Sequence, residues 1–379
     1  MEPEKLHPCS SIFSPSLPPP PSSIFACQRQ RYSASGQQQE ISLKIPASSA
    51  TVSVAIINTT AWASHVPCAG LFKPAFKGLD TFDLCSYSFL VTHRGEDSEN
   101  LVPNIVAKLK QWGTTLEIEK DVADVLVEHD TKLDEIEAIV WSHLHWDHTG
   151  NPARFPSSVK LIVGPGLKEA QMPGWPANSS AEINEADVAG REVVEIAESQ
   201  FTADVGGMPG YDYFGDGSFY LLDAPGHSLG HINALARTET SPESFIFMAA
   251  DSVHLGGEFR PTEAFPLPKV VDVPGLTPCP CSCEQLLKFH PRDSPTKPYL
   301  GLDPRFPEHL VAAEKTISHI QRFDADERVL FIYAHDITMF EMLDYFPQTV
   351  DNWRSKSWKA ESRWKFLVDL QQIARKRAA

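Results

Sequence analysis

The apolar residues of this chain fall in short runs, and the runs lay out strands before any other feature is considered. Residues 51–57, Thr-Val-Ser-Val-Ala-Ile-Ile, alternate polar with apolar and then turn fully apolar, as a strand does. Residues 86–91 read as a second strand. Further short runs follow at 136–141, 160–163, 219–222, 231–236, 245–248 and 329–333. Several are apolar at consecutive positions, the signature of strands covered on both faces. Helical spacing appears at 101–112, which stops at Gly113, and at 122–129, 308–322 and 358–377. Residues 62–80 and 171–190 read as loop or irregular structure. The Pro- and Gly-rich stretch 256–307 predicts a long loop that walls a pocket. Residues 1–48 are rich in Ser, Pro and Gln without periodicity and are expected to be disordered, leaving 49–379 as one domain.

Composition narrows the function classes. With 42% hydrophobic residues the chain can bury a sizeable core. Lys and Arg number 33 against 49 Asp and Glu, a net charge of −16, which argues against a nucleic-acid partner. No apolar run reaches membrane-spanning length, so no membrane partner is expected. Seven cysteines in 379 residues do not form a disulfide framework. The cytoplasm is the expected compartment.

The chemistry sits at the ends of the runs. After 136–141 comes Ser142-His143-Leu144-His145-Trp146-Asp147-His148-Thr149-Gly150. Three imidazoles and a carboxylate within six residues cannot share one strand face and must fan out on a tight loop, as metal ligands do. After 219–222 comes Asp223-Ala224-Pro225-Gly226-His227-Ser228-Leu229-Gly230-His231. After 245–248 comes Asp251, and after 329–333 comes His335. A Lewis-acid site needs ligands from several rigid elements meeting at one edge, and strand ends supply that.

This set resembles the metallo-β-lactamase-fold hydrolases, most closely their quorum-signal lactonase-like branch. The resemblance implies an α/β fold, an αββα sandwich with a dinuclear metal site at one sheet edge. It implies two zinc ions per chain: His143, His145 and His227 on one, Asp147, His148 and His335 on the other, and Asp251 between them. Iron, manganese or cobalt would also suit such an N/O site. The implied reaction is opening of a small cyclic ester or amide by a bridging hydroxide, with a small-molecule substrate. Asp147, Asp251 and His254 are the candidate catalytic residues, His254 standing where the lactonases place a tyrosine against the substrate carbonyl. A thioesterase and a metal-binding pseudo-enzyme are the alternatives.

Other residues weigh less. His231 is expected to support the site rather than ligate. Phe259 and Arg260 lie either over the metals or in a structured loop, and Phe259, Phe265 and Leu267 are expected to give the pocket an apolar wall. Cys279, Cys281 and Cys283 lack a zinc spacing and read as incidental thiols; His65, His93 and His290 read as surface residues. One departure stands out. Relatives carry, after the second strand, another ending in Asp-x-Gly, whereas here 93–100 pass almost directly into a helix. A sheet short of an interior strand is the expectation.

Overall fold

The computed structural model describes residues 41, 43–68, 71–74, 80–90 and 101–376. The N-terminal half supplies two small sheets. Strand β1 (Ala55–Pro67) pairs antiparallel with β2 (Thr81–Leu90). After helix α1 (Pro103–Trp112), which ends on the left-handed Gly113, β3 (Thr115–Glu117) pairs with the far end of β1. Helix α2 (Val122–Glu128) is capped by the Asp121 carboxylate on the Ala123 amide. It leads to a parallel trio, β4 (Ala138–Val140), β5 (Lys160–Val163) and β6 (Val193–Glu195).

The C-terminal half builds a six-stranded sheet from β7 (Ala203–Val205), β8 (Met208–Asp212), β9 (Phe219–Asp223), β10 (Ile232–Thr240), β11 (Glu243–Met248) and β12 (Val329–Ile332). Its order is β12-β11-β10-β9-β8-β7, antiparallel throughout except for the parallel β11–β12 pair. Helix α3 (Leu310–Ala325) crosses between β11 and β12.

The consecutive apolar residues explain the layering. In β9, β11 and β12, Leu221, Ile246 and Leu330 face the first-half sheets, where they meet Ile56, Ala138 and Ile162. Their neighbours Leu222, Phe247 and Phe331 face the other way, onto Ile317, Ile320 and Phe323 of α3. On the opposite side Ile139, Leu161 and Val163 pack on Leu126 of α2. Two helical layers thus enclose two sheet layers. Removing each large side chain from water contributes about 1.5–3 kcal/mol.

Several expectations change. Strand β1 continues through residues expected as loop, because Trp62, Ala63 and Ser64 find partners in the distant 115–117 segment. Residues 43–48 pack on the domain, where Leu43 is buried, its amide donates to Asp326, and the Pro46 carbonyl accepts from Arg237; residues 1–40 of the stretch expected as disordered lie outside the described residues. The expected single C-terminal helix is two, α4 (Trp358–Ser362) and α5 (Phe366–Lys376). Residues 256–307 form no open wall. They build a satellite core in which Leu267, Val271, Leu286 and Tyr299 pack on Trp364, Phe366 and Leu370. The expected missing strand concerns 91–100, outside the described residues. Among the described residues β2 and β4 each have one sheet partner, so the first-half sheet is divided in two.

Candidate metal centre

Each chemical residue stands just past a strand end. The loop after β4 is closed on itself: Trp141 Nε1 donates to the Thr149 carbonyl at 2.7 Å, and the His148 amide to the His145 carbonyl at 2.9 Å. The Ile232 amide donates to the Ser142 carbonyl at 2.8 Å, which fastens this loop to the start of β10. The turn carrying His227 presses against α3 at Gly226, where φ is +124° and a Cβ would fall 2.1 Å from the Ala313 nitrogen. Only glycine fits there. Ala250 holds φ +42° directly before Asp251, a conformation that non-glycine residues rarely adopt. Its carbonyl accepts from the Ala334 amide at 3.1 Å, which locks the Asp251 turn to the His335 turn.

Among the described residues two potential metal-binding groups converge: His143, His145, His227 and Asp251, and Asp147, His148, His335 and Asp251. The Asp251 carboxylate faces both. Its Oδ1 lies 3.1 Å from His148 Nε2 and 3.1 Å from His335 Nε2, and its Oδ2 lies 3.6 Å from His227 Nε2 and 3.7 Å from His143 Nε2. Asp147 Oδ2 lies 3.6 Å from His148 Nε2 and 3.5 Å from His335 Nε2. His227 Nε2 and His145 Nδ1 stand 2.9 Å apart. Ligands held about 2.0–2.1 Å from a tetrahedral ion stand about 3.3 Å from one another, so these spacings fit an ion in each group. His143 Nε2, His148 Nε2 and Asp251 Oδ1 are also buried without a hydrogen-bond partner, a costly state that a cation in each group would relieve.

The electrostatics agree. Burial holds His143 and His227 well below the usual histidine range, in the neutral form a metal needs. Burial opposes the charge of Asp251, yet His148, His335 and His254 outweigh it and keep the carboxylate ionised. Burial also opposes a charge on His335, but Asp251 and Asp147 dominate and push it up to about 9; a metal would take the place of that proton.

Supporting contacts fix the rings. His335 Nδ1 donates to the Cys85 carbonyl at 2.9 Å, and Ser142 Oγ lies 3.1 Å from His143 Nδ1. His231 joins neither group. Its Nε2 accepts the Asp251 amide at 3.2 Å and its Nδ1 donates to the Ala224 carbonyl at 3.1 Å. Burial pushes its pKa down to about 3, matching a neutral ring with one donor and one acceptor. His254 lies at the same centre, Nε2 3.3 Å from Asp251 Oδ2.

Two neighbours escaped the sequence reading. Glu258 is buried and accepts the His254 and Leu255 amides; burial raises its pKa. Phe306 lies 5.4 Å from the His227 ring and 5.1 Å from the His254 ring. Neither carries a local pattern that marks it. The expected apolar wall is corrected: Phe259 packs on Phe331, Phe265 stacks on Trp364, and Leu267 is buried in the satellite core. Arg260 is not over the site; its Nη2 binds Asp324 Oδ1 at 2.6 Å. Cys281 belongs to that satellite core, Cys283 packs against it, and Cys279 donates to the Val273 carbonyl at 3.3 Å. His65 is exposed, whereas His290 is buried, 2.7 Å from the Lys297 carbonyl through Nε2; His93 lies outside the described residues.

Comparison with known proteins gives the family. A gamma-lactamase of Fusarium pseudograminearum, FDB1, is 37% identical over 350 residues, covering 87% of this chain and 85% of the relative. The family model for the metallo-β-lactamase superfamily matches residues 111–235. The chain belongs to the metallo-β-lactamase superfamily. A gamma-lactamase of Gibberella moniliformis, MBL2, is 41% identical over 225 residues, 58% of this chain and 93% of that one. The crystal structure of a quorum-quenching N-acyl homoserine lactone hydrolase matches with a TM-score of 0.51 at 14% identity, over 80% of this chain and 99% of the other. That likeness shows the superfamily's fold. Among the described residues no helix is long and apolar enough to cross a membrane.

Proposed function

We propose that this chain is a zinc-dependent hydrolase that opens a small cyclic amide or ester, with a γ-lactam the favoured ring. The observation that carries the reading is Asp251, whose two oxygens face two separate sets of buried and half-buried ligands. The ring preference rests on the two relatives named gamma-lactamases. His143, His145 and His227 are assigned to one ion, Asp147, His148 and His335 to the other, with Asp251 shared. Bound there, paired zinc ions supply a Lewis acid for the ring carbonyl and a water that ionises near neutrality.

The chain's own residues do the rest. His231 holds the Asp251 backbone, so the shared carboxylate keeps its orientation. His254 is assigned to donate to the substrate carbonyl oxygen, and Phe306 to pack on the ring beside it. An amide nitrogen leaves poorly without a proton, and Asp147 and His254 are assigned to move it. The test is metal content by mass spectrometry together with a panel of γ-lactams and N-acyl homoserine lactones. About two ions per chain and ring opening that a chelator abolishes and zinc restores are expected. A metal-replete protein that opens no lactam or lactone refutes the proposal.

A further inference from the structure

One buried carboxylate beside the centre has no part in the chemistry described so far. Glu258 is 2% exposed and closes the short turn Gly256–Glu258, just beyond His254. That turn is held firmly. A Cβ on Gly256 would fall 2.7 Å from the Phe366 ring of α5, and the Leu300 amide donates to the Gly257 carbonyl at 2.9 Å. Glu258 Oε2 accepts the His254 and Leu255 amides, the contact by which a Glu or Gln closes the start of a turn. Capping asks for that one oxygen only. Among the described residues Oε1 is buried with no hydrogen-bond partner, and so is His254 Nδ1, which lies 3.9 Å from the carboxylate. The His254 ring is clamped: Phe306 meets it edge-on at 5.1 Å, and His335 stacks on it at 5.8 Å. Its Nε2 points into the centre, 3.3 Å from Asp251 Oδ2. What packing leaves open is which ring nitrogen carries the proton, and the partner of the other nitrogen sets that.

We propose that Glu258 is a positioning residue for ring opening: its free oxygen accepts the His254 Nδ1–H, which fixes the ring plane and leaves Nε2 as the nitrogen that exchanges a proton with the substrate. The assignment rests on the function proposed above. A carboxylate oxygen offers about two lone pairs, and the two amides use those of Oε2, so Oε1 is the acceptor with capacity to spare. The terminal torsions of His and Glu are both broad, so ring and carboxylate can close the gap by turning, with the backbone in place. Hydrogen bonds of this kind are often long before substrate binds and tighten in the complex. As the ring C–N bond breaks, its electron pair takes the proton from Nε2, and Nδ1 keeps its own proton on Glu258.

The test is nitrogen NMR of the zinc-loaded full chain with isotope-labelled histidine, the His254 signals being assigned by their loss in His254→Ala. Nδ1 should bear a proton in the native protein. In Glu258→Gln the side-chain oxygen still accepts both amides, so the melting curve and the metal content should hold. The glutamine NH₂ then takes the place of Oε1 and donates to Nδ1, which should lose its proton. The kcat for the ring that the native protein opens should fall about tenfold or more with KM within about twofold, because a misplaced proton costs the transition state and not substrate binding. A native Nδ1 without a proton overturns the proposal. So does a Glu258→Gln protein whose Nδ1 keeps its proton or whose kcat is native. Loss of metal in Glu258→Gln overturns it too, since Glu258 then supports the ligand set. The Nδ1 signal needs no substrate, so it decides this assignment even where no lactam or lactone is opened.

Discussion

His231→Phe separates a residue that holds the site from one that binds metal. Phenylalanine keeps the ring and removes both polar atoms. The native neutral ring accepts the Asp251 amide at 3.2 Å and donates to the Ala224 carbonyl at 3.1 Å. The substitution strands that amide and removes one partner from that carbonyl, in a place where His231 is 1% exposed. Each buried group left unsatisfied costs about 1–3 kcal/mol, so the two together cost about 2–6 kcal/mol. Loss of an interaction that orients a metal ligand also weakens metal affinity by about 10–100-fold. The assays are denaturant unfolding in chelator, which reads the hydrogen bonds alone, and competition titration with a chelating dye, which reads the affinity. An unchanged unfolding midpoint with affinity within twofold of the native chain refutes the supporting role. Loss of one whole equivalent of metal without loss of stability makes His231 a ligand instead.

Three further outcomes are expected. Asp251→Asn weakens the carboxylate that faces both ligand sets, and metal content should fall from about two ions to one or fewer, with turnover lost; native metal content removes Asp251 from the shared position. His254→Ala should lower kcat by about 10²–10⁴-fold while metal content holds, the range for a positioned proton donor; parallel loss of metal reassigns it to metal retention. Asp324→Asn leaves Arg260 buried without its charge partner and should cost about 3–5 kcal/mol in denaturant unfolding. Burial alone raises the Asp324 pKa, but Arg260 dominates and holds it well below the usual range. A depressed folded pKa stabilises above the unfolded value of about 3.9 and loses that stability as pH falls through the folded one. The native chain should therefore lose stability below about pH 4 more steeply than Asp324→Asn, and equal slopes would place the acid sensitivity elsewhere.

Local sequence determined where the strands end and what stands there. Buried strands need consecutive apolar residues, and the residues after 136–141, 219–222, 245–248 and 329–333 carry His143 to His148, His227, Asp251 and His335. The family and its fold were legible through the resemblance that those residues carry. Periodicity reports which face of a segment avoids water, but not what covers it. It therefore placed Phe259, Phe265 and Leu267 on a pocket wall, whereas Phe331, Trp364 and the satellite core receive them. It ended β1 early, because Thr115–Glu117, which pairs with its far half, lies about fifty residues away in sequence. Glu258 and Phe306 reach the site only through folding of 256–307, a segment whose own pattern reads as loop. Which strand edges meet was likewise beyond local reading. A strand edge is defined by the neighbour that pairs with it, and pairing is a property of the assembled sheet.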